Sequence, residues 1–179
     1  MTKEKIFEFI KKQKTAFISS VDEEGYPVTR AMLSPREIDG NDIYFSTNTS
    51  SAKVEQYQKN DKACVYFYER GRFKYQGVTI KGRMKVCADQ ETKDRIWRFG
   101  DKIFYKKGVT DPDYCVLKFT AQEVEYYCDF KIERFKFWGI LYKIVVKIIV
   151  VKSSEKQGIS YKLREMFFEG FREYAGIIW

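Results

Sequence analysis

The fold is decided first by residues 15–34, which read TAFISSVDEEGYPVTRAMLS. Apolar and β-branched side chains fill two short segments, 15–21 and 28–34, and the residues between them include Gly25 and Pro27. Such segments are typical of β-strands, and Gly and Pro are the residues that tight turns prefer. This stretch therefore predicts a β-hairpin near the start of the chain.

Working outward, the same pattern of strands and turns recurs with helices between the hairpins. Gly77 and Gly82 fall inside the longest predicted strand, where glycine indicates a bulge or the close approach of another group. The other predicted elements are a helix over 3–13, a loop over 35–41, a strand over 42–46, a helix over 50–60, a second hairpin with strands over 62–69 and 73–87, a helix that starts at Asp89, and two strands over 113–119 and 123–130.

Hairpins dominate this order, and the helices lie between hairpins rather than connecting successive parallel strands as regular crossovers. The pattern predicts a mainly β (α+β) fold, an antiparallel barrel with packed helices, and not a doubly wound parallel sheet. We expect this domain to span residues 1–130 and a C-terminal extension to span 131–179. Within the extension, residues 135–152 are strongly apolar but interrupted by Lys143 and Lys147. They suit a helix with a basic stripe, which could lie on a membrane surface, or a buried strand, and packing on the barrel or on a partner subunit is favoured.

Composition excludes several classes of function. The chain has 179 residues, of which 44% are hydrophobic and 17% aromatic, so it is not a disordered protein. It contains no histidine, which excludes a Ser-His-Asp triad, a Cys-His pair, His-ligated zinc and a haem held by a proximal His. The four cysteines form no C-x-x-C pair, so we expect neither a zinc ribbon nor a redox motif, and no metal site.

Charge and the N-terminal residues bear on partners and location. Lys and Arg number 33 and Asp and Glu 25, which gives a net charge of +8. This balance favours anionic partners, or it reflects a lysine-rich solvated surface. We expect no nucleic-acid partner, because the lysines are scattered and no recognisable DNA- or RNA-binding motif accompanies them. Residues 1–13 lack the apolar core and cleavage site of a signal peptide, so we expect a cytoplasmic protein.

The most informative polar segment runs from Ser46 to Lys53 and reads STNTSSAK. Here a strand ends in hydroxyl and amide side chains, and a helix begins with a lysine in its first turn. Free backbone N–H groups at a helix start favour an anion, and Arg30 on a nearby strand could add a bidentate clamp. The pattern therefore indicates a cradle for a monophosphate. An ordinary capped helix with a surface lysine is the alternative, because capping residues are common at helix starts.

Five segments taken together resemble a known family. They are TAFISSVDEEGYPVTRAM, IYFSTNTSSAKVEQ, KACVYFY and the later pair DQETKDRIW and GVTDPDYCVLKF. In this order and spacing they are similar to the pyridoxamine 5′-phosphate oxidase-like, FMN-binding split β-barrel family, in its branch of small general-stress-protein-type flavoproteins. The resemblance covers roughly residues 3–128.

This resemblance implies a split barrel that forms a homodimer, with two FMN molecules in the grooves between the subunits. It places Arg30, Ser51 and Lys53 on the flavin phosphate and Trp97 at the dimer interface, although a core role for Trp97 is an equal alternative. The full set of cofactor-binding residues that it implies is Arg30, Ala31, Met32, Ser46, Thr47, Ser51, Lys53, Gln76 and Gly77.

The chain also departs from the family pattern. Pyridoxamine phosphate oxidase itself closes with an arginine and a histidine that hold the substrate, whereas this sequence has no histidine and a different C-terminal part. We therefore expect an FMN-dependent oxidoreductase of another substrate, with no catalytic residue assigned. The alternatives are a non-catalytic flavin-binding or sensor module of the same fold and a protein that associates with a membrane surface through residues 135–152.

Overall fold

The structure is a computed structural model that describes residues 3–71 and 75–136. Antiparallel strands dominate it, as the sequence predicts. The elements are α1 (Lys3–Lys12), β1 (Thr15–Val21), β2 (Pro27–Leu33), β3 (Glu37–Asp39), β4 (Asp42–Asn48), α2 (Ala52–Lys59), β5 (Lys62–Arg70), β6 (Tyr75–Cys87), α3 (Gln90–Ile96), two 3₁₀ turns (Phe99–Ile103 and Gly108–Thr110), β7 (Tyr114–Cys128) and β8 (Lys131–Lys136).

The strands form one antiparallel sheet in the order β2-β1-β5-β6-β7-β4-β3. β7 is the longest strand, and its two halves have different neighbours on one edge. Residues 114–120 pair with β4, whereas residues 123–128 pair with β8. The sheet does not close on itself within the described residues. The predicted fold class, an antiparallel split barrel with packed helices, is confirmed.

Both predicted hairpins are present, but the two strands expected over 113–119 and 123–130 are a single strand, β7. The ladder between β6 and β7 shifts register next to Gly82, and the exposed Gln122 is the extra residue on β7. A bulge accommodates one unpaired residue without ending the strand. The polar residues that appeared to separate two strands therefore lie within one.

The close approach predicted at the two strand glycines is confirmed. A Cβ at Gly82 would overlap the backbone carbonyl oxygen of Thr120 and lie 2.8 Å from the ring of Phe119. A Cβ at Gly77 would lie 2.7 Å from the hydroxyl oxygen of Tyr66. At both positions glycine leaves the space that a neighbouring strand residue occupies.

Two short strands have no counterpart in the predicted elements. β3 lies inside the predicted loop over 35–41 and is only three residues long, too short to show a period in the sequence. β8 follows a turn at Asp129 and Phe130, both of which have a positive φ. Asp tolerates this conformation, but Phe seldom adopts it, so the sequence gives only a weak indication of a turn there. The boundary at residue 130 stays a prediction, and residues 137–179 of the predicted C-terminal extension lie outside the described residues.

Two groups of buried side chains lie on opposite faces of β4 and β7. The larger group packs α1 and α2 against the inner face of the sheet. The smaller group joins α3 and the 3₁₀ turns to the other face. Among the fully buried members of the larger group are Ile6, Ile10, Ile18, Phe45, Val54, Phe67, Ile80, Leu117 and Phe119. Burial of such side chains contributes about 1.5–3 kcal/mol each and fixes α2 over the sheet.

Candidate functional site

The start of α2 follows directly from the end of β4. Ser51 occupies the N-cap position, but its hydroxyl donates a hydrogen bond to the carbonyl oxygen of Asn48 at 2.7 Å. The Ser51 side chain makes no capping hydrogen bond to a helix amide. Helix capping, the alternative explanation for this serine, is therefore not what its side chain does here.

Arg30 on β2 reaches across the sheet to α2. Its Nη1 atom donates to the hydroxyl oxygen of Ser20 at 2.8 Å, and its Nη2 atom donates to Oε1 of Gln56 at 2.9 Å. The Ser20 hydroxyl in turn donates to Oε1 of Gln56 at 2.6 Å. Two neutral side chains thus hold the guanidinium, and Arg30 forms no ion pair with any described residue.

Lys53 lies in the first turn of α2, half-buried and close to Arg30. Burial lowers the pKa of the Lys53 ammonium, and the Arg30 charge lowers it further. Among the described residues no carboxylate pairs with Lys53. Arg30, Lys53, Ser20 and Gln56 are named below the Arg30–Lys53 cluster. This cluster holds two cations near each other with no described carboxylate paired to either, which is an electrostatic environment that favours an anion. The carboxylate at the start of α2, that of Asp113, accepts hydrogen bonds from the Ser50 amide and the Asn48 side chain instead.

Buried polar groups surround the cluster. Thr47 is buried on β4 and pairs in register with Cys115 on β7. Burial raises the pKa of the Cys115 thiol, while a hydrogen bond with Thr49 and the charge of Lys53 act in the opposite direction. Burial also raises the pKa of Tyr57 to about 12, against the effect of Arg30. These side chains remain neutral at physiological pH, so they leave the positive charge of the cluster unchanged.

Ser46 lies on the other face of β4 from Thr47. Its hydroxyl accepts a hydrogen bond from Nε of Arg36 at 2.9 Å. Arg36 also forms an ion pair with the buried carboxylate of Asp101. Consecutive strand residues point to opposite faces, so the side chains of Ser46 and Thr47 cannot contact one anion together. The structure joins Ser46 to the network of Arg36 and not to the Arg30–Lys53 cluster.

The predicted residues on β2 also divide between two faces. Met32 lies two positions from Arg30 and packs against the main core, so it shares the face of the cluster. Ala31 is exposed and pairs in register with Phe17, on the opposite face.

The two predicted residues on β6 are not brought to the cluster. Oε1 of Gln76 accepts a hydrogen bond from the hydroxyl of Tyr126 at 2.8 Å, and Gly77 pairs with Tyr68 and Tyr127. β1 and β5 lie between β2 and β6. Three strand spacings therefore separate Arg30 from β6, about 14 Å at the usual spacing.

Trp97 packs within the smaller core. Its ring lies 5.0 Å from the ring of Tyr114 and 6.1 Å from that of Tyr105, measured between centroids. This arrangement accounts for a core role in the described part of the chain, and the interface role stays a prediction.

Ser20 and Gln56 are the cluster residues that the sequence did not single out. Gln56 follows Lys53 by three positions, a spacing that places both side chains on one face of a helix. Ser20 is diagonal to Arg30 in the β1–β2 ladder, in which Ile18 pairs with Arg30. Helix spacing could thus have indicated Gln56, whereas Ser20 required the hairpin register.

A cavity of about 320 Å³ lies between the β1–β2 turn and α2, and Gln56 of the Arg30–Lys53 cluster is part of its lining. Four carboxylates line it, those of Asp22, Glu23, Glu24 and Glu55, together with Lys59. Lys59 forms ion pairs with both Glu23 and Glu55. The negative balance of this lining disfavours a phosphate inside the cavity, whereas the charges of Arg30 and Lys53, unpaired among the described residues, favour one beside them.

Two further properties concern only the residues that the structure describes. Over 3–71 and 75–136 there is no helix of the length and apolar character needed to cross a membrane. In the same ranges, no three His, Cys, Asp or Glu side chains lie close enough together to hold a metal ion.

Comparison with known proteins defines the class. Residues 2–128 match the family model described as pyridoxamine 5′-phosphate oxidase, and the chain belongs to this family, whose members generally bind flavin. A curated pyridoxine/pyridoxamine 5′-phosphate oxidase from Legionella pneumophila (strain Lens) is 37% identical over 83 residues. That alignment covers 46% of this chain and only 37% of the relative.

Two solved structures are similar over more of the chain. One is a protein related to general stress protein 26 of Bacillus subtilis, of the pyridoxine phosphate oxidase family, from Clostridium acetobutylicum. It has 34% identity and a TM-score of 0.67, over 75% of this chain and 93% of that one. The other is general stress protein 26 from Bacillus anthracis, with 21% identity and a TM-score of 0.60, over 74% and 97% of the two chains. The second likeness concerns the fold alone.

Proposed function

We propose that this chain binds FMN through the Arg30–Lys53 cluster and acts as an FMN-dependent oxidoreductase, on a substrate that the site does not identify. One observation carries the proposal. Two half-buried cations lie at the start of α2 without a carboxylate partner among the described residues, in a chain whose family generally binds flavin.

The residues of the cluster fit a phosphate monoester, which carries about −1.5 to −2 charge at pH 7. The Arg30 guanidinium has five N–H groups, of which hydrogen bonds to described residues use two. The remaining N–H groups can donate to phosphate oxygens, and the Lys53 ammonium adds a second full charge. The first backbone amides of α2 complete a set of donors that an anion satisfies.

A bound flavin would supply hydride or electron transfer, and the protein supplies binding and orientation. In this proposal Met32 and Thr47 border the flavin on the face of the cluster. Oxidation of pyridoxamine phosphate is not part of the proposal. The chain spans 37% of the curated relative that bears that name, and it lacks the histidine of the family's substrate-binding closure.

A homodimer accounts for the predicted site residues that lie away from the cluster. The outer face of the sheet carries Phe17, Tyr66, Tyr68, Tyr75 and Tyr127, named here the tyrosine face, with ring centroids 5.7–6.4 Å apart between neighbours. Tyr68 and Tyr75 remain 43% and 42% exposed. Aromatic residues are enriched at subunit interfaces. We propose that a second copy covers this face and brings the start of its own β6 to the flavin, with Gly77 on this face and Gln76 on the other.

Flavin binding is tested by titrating the full-length chain with FMN and with riboflavin, which lacks the phosphate, and following flavin fluorescence. We expect saturable FMN binding that is at least about tenfold tighter than riboflavin binding, because the phosphate contacts are charge-assisted. Arg30→Gln should weaken FMN binding and leave riboflavin binding unchanged. Arg83→Gln, which removes an exposed cation paired with Asp61, is the control. Equal FMN affinity in Arg30→Gln and wild type would contradict the proposed phosphate site.

The homodimer is tested by sedimentation velocity over a dilution series, with and without FMN. FMN that binds the dimer and not the monomer must stabilise association by mass action. Tyr68→Lys on the tyrosine face should weaken both association and FMN binding. A monomer that holds FMN at full occupancy would remove the second copy from the proposal.

Oxidoreductase activity is separated from a non-catalytic flavin module by turnover. The FMN-loaded protein is mixed with a nicotinamide donor and an acceptor, and donor oxidation is followed against an equal concentration of free FMN. Steady turnover above that background supports the enzyme. Tight FMN binding without such turnover favours the sensor or carrier function.

A further inference from the structure

We propose that Gln56, together with Ser20, is the positioning residue that aims the Arg30 guanidinium while leaving its charge uncompensated. This inference rests on the proposed function, because the charge that it preserves serves the bound phosphate. Gln56 is not assigned to touch the flavin, and it acts through Arg30.

The hydrogen bonds define a closed triangle. Gln56 Oε1 accepts from Arg30 Nη2 and from the Ser20 hydroxyl, and the Ser20 oxygen accepts from Arg30 Nη1. Ser20 is fully buried, so its hydroxyl has a single fixed environment. Two terminal nitrogens of one planar guanidinium are each held, which fixes the orientation of the whole group. The three hydrogen bonds therefore hold the Arg30 side chain in one orientation.

The chemical identity of residue 56 decides the charge of the site. A glutamate would accept the same hydrogen bonds and add a carboxylate 2.9 Å from the guanidinium nitrogen if it kept the glutamine geometry. Such a pair would be stronger within the protein than the neutral contact, and it would cancel much of the field that an incoming phosphate meets. Glutamine provides the geometry without that cancellation.

The proposal predicts opposite effects of Gln56→Glu on stability and on binding. The variant should keep or raise the melting temperature, because a charge-assisted pair replaces a neutral one. It should weaken FMN binding at least about tenfold, since it opposes a charge-assisted interaction. Its binding should also depend less on salt, because the site carries one net cation fewer. A merely structural Gln56 would move neither the affinity nor the salt dependence while the fold stays intact.

The experiment measures melting temperature and FMN affinity at three salt concentrations for full-length Gln56→Glu and four companion variants. Gln58→Glu makes the same substitution at an exposed position of α2 and controls for added negative charge. The double variant Arg30→Gln with Gln56→Glu tests whether the effect passes through Arg30, since the penalty of Gln56→Glu should shrink when Arg30 is absent. Ser20→Ala should weaken FMN binding, and Ser20→Thr should restore it.

Three outcomes separate this inference from the proposed function. If wild type binds FMN and Gln56→Glu binds it equally tightly, the positioning role is wrong and the flavin site stands. If wild type binds no FMN, the proposed function fails, and stabilisation by inorganic phosphate in thermal melts becomes the readout. A loss of phosphate stabilisation in Gln56→Glu but not in Gln58→Glu then supports the positioning role of Gln56. Equal stabilisation of both variants by phosphate overturns that role.

Discussion

Replacing Lys53 by methionine removes the charge and keeps the aliphatic stem. In the folded protein without ligand, burial and the Arg30 charge both disfavour the protonated amine, which is why the pKa of Lys53 is lowered. The lowered pKa determines the direction of the effect on stability. A lysine with a lowered folded-state pKa costs stability at every pH below that pKa, and the cost disappears as the pH rises toward the unfolded value. Lys53→Met should therefore keep or raise the melting temperature at pH 7.

The same substitution should weaken FMN binding by about 1.5–3 kcal/mol, the range for a hydrogen bond to a charged group, which corresponds to roughly 10–150-fold in Kd. Thermal melts without ligand and FMN titrations at pH 7 measure the two effects. Lys59→Met is the matched control, because Lys59 lies on the same helix, exposed and paired with Glu23 and Glu55. A variant that loses stability and retains FMN affinity would show that Lys53 is an ordinary structural lysine.

The lowered pKa also predicts a pH dependence. Affinity for inorganic phosphate should fall as the pH rises through the pKa of Lys53, which lies below 10.5. Lys53→Arg should remove that fall, because arginine stays protonated throughout. Cys115 is the neighbouring group that can also ionise in alkaline solution, and burial raises its pKa from 9.0. Measuring phosphate binding to Cys115→Ala over the same pH range shows how much of the fall in affinity comes from ionisation of Cys115. A fall that persists unchanged in Lys53→Arg would refute the assignment to Lys53.

Three further predictions concern the fold. Gly82→Ala should destabilise the protein by at least about 1–3 kcal/mol, because the new Cβ has no space, whereas Gly100→Ala, where nothing lies within 4 Å, should be near neutral in chemical denaturation. A fragment ending at residue 136 should melt higher than one ending at 130, which lacks β8 and the core contact of Phe135; equal melting would make β8 dispensable. Asp101→Ala breaks a buried ion pair and should cost about 3–5 kcal/mol of unfolding free energy.

The sequence predicted the parts of the fold that depend on local pattern. Apolar and β-branched segments on either side of Gly25 and Pro27 predicted the first hairpin, and the structure confirms it. The division of β7 into two strands was wrong, because a bulge that absorbs Gln122 depends on the pairing with β6 and not on local propensity. β8 was missed because its turn also places Phe130 at a positive φ, which an aromatic residue seldom adopts, and Asp129 alone is a weak turn signal.

In the candidate site, too, the sequence predicted what depends on local pattern and missed what depends on how the elements pack. Arg30 and Lys53 were singled out because a helix start, a lysine and a strand arginine form a recognisable chemical pattern, and in the structure the Arg30 charge is near enough to lower the pKa of Lys53. Ser46 and Thr47 are adjacent in sequence, yet the alternation of β4 sends their side chains to different networks. Sequence pattern alone did not indicate which neutral groups would hold the guanidinium. The identity of these groups depends on the register between β1 and β2 and on how α2 packs against the sheet.

The burial of two neighbouring cations that have no carboxylate partner in the described part of the chain is the strongest physical argument for a ligand at this site. Some exposed cations on the same sheet and helix have carboxylate partners, as Lys59 has Glu55 and Arg134 has Glu125, and others, such as Lys81 and Lys85, have no ion pair among the described residues. Such surface pairs contribute only about 0–1 kcal/mol, so a missing partner costs little at an exposed position. Arg30 and Lys53 are half-buried, where a carboxylate would contribute more, and among the described residues they have none. Stability alone favours the opposite arrangement, since two like charges near one another raise the energy of the folded state. A bound anion reverses that cost, because it supplies the missing negative charge where the first turn of α2 also offers free backbone N–H groups.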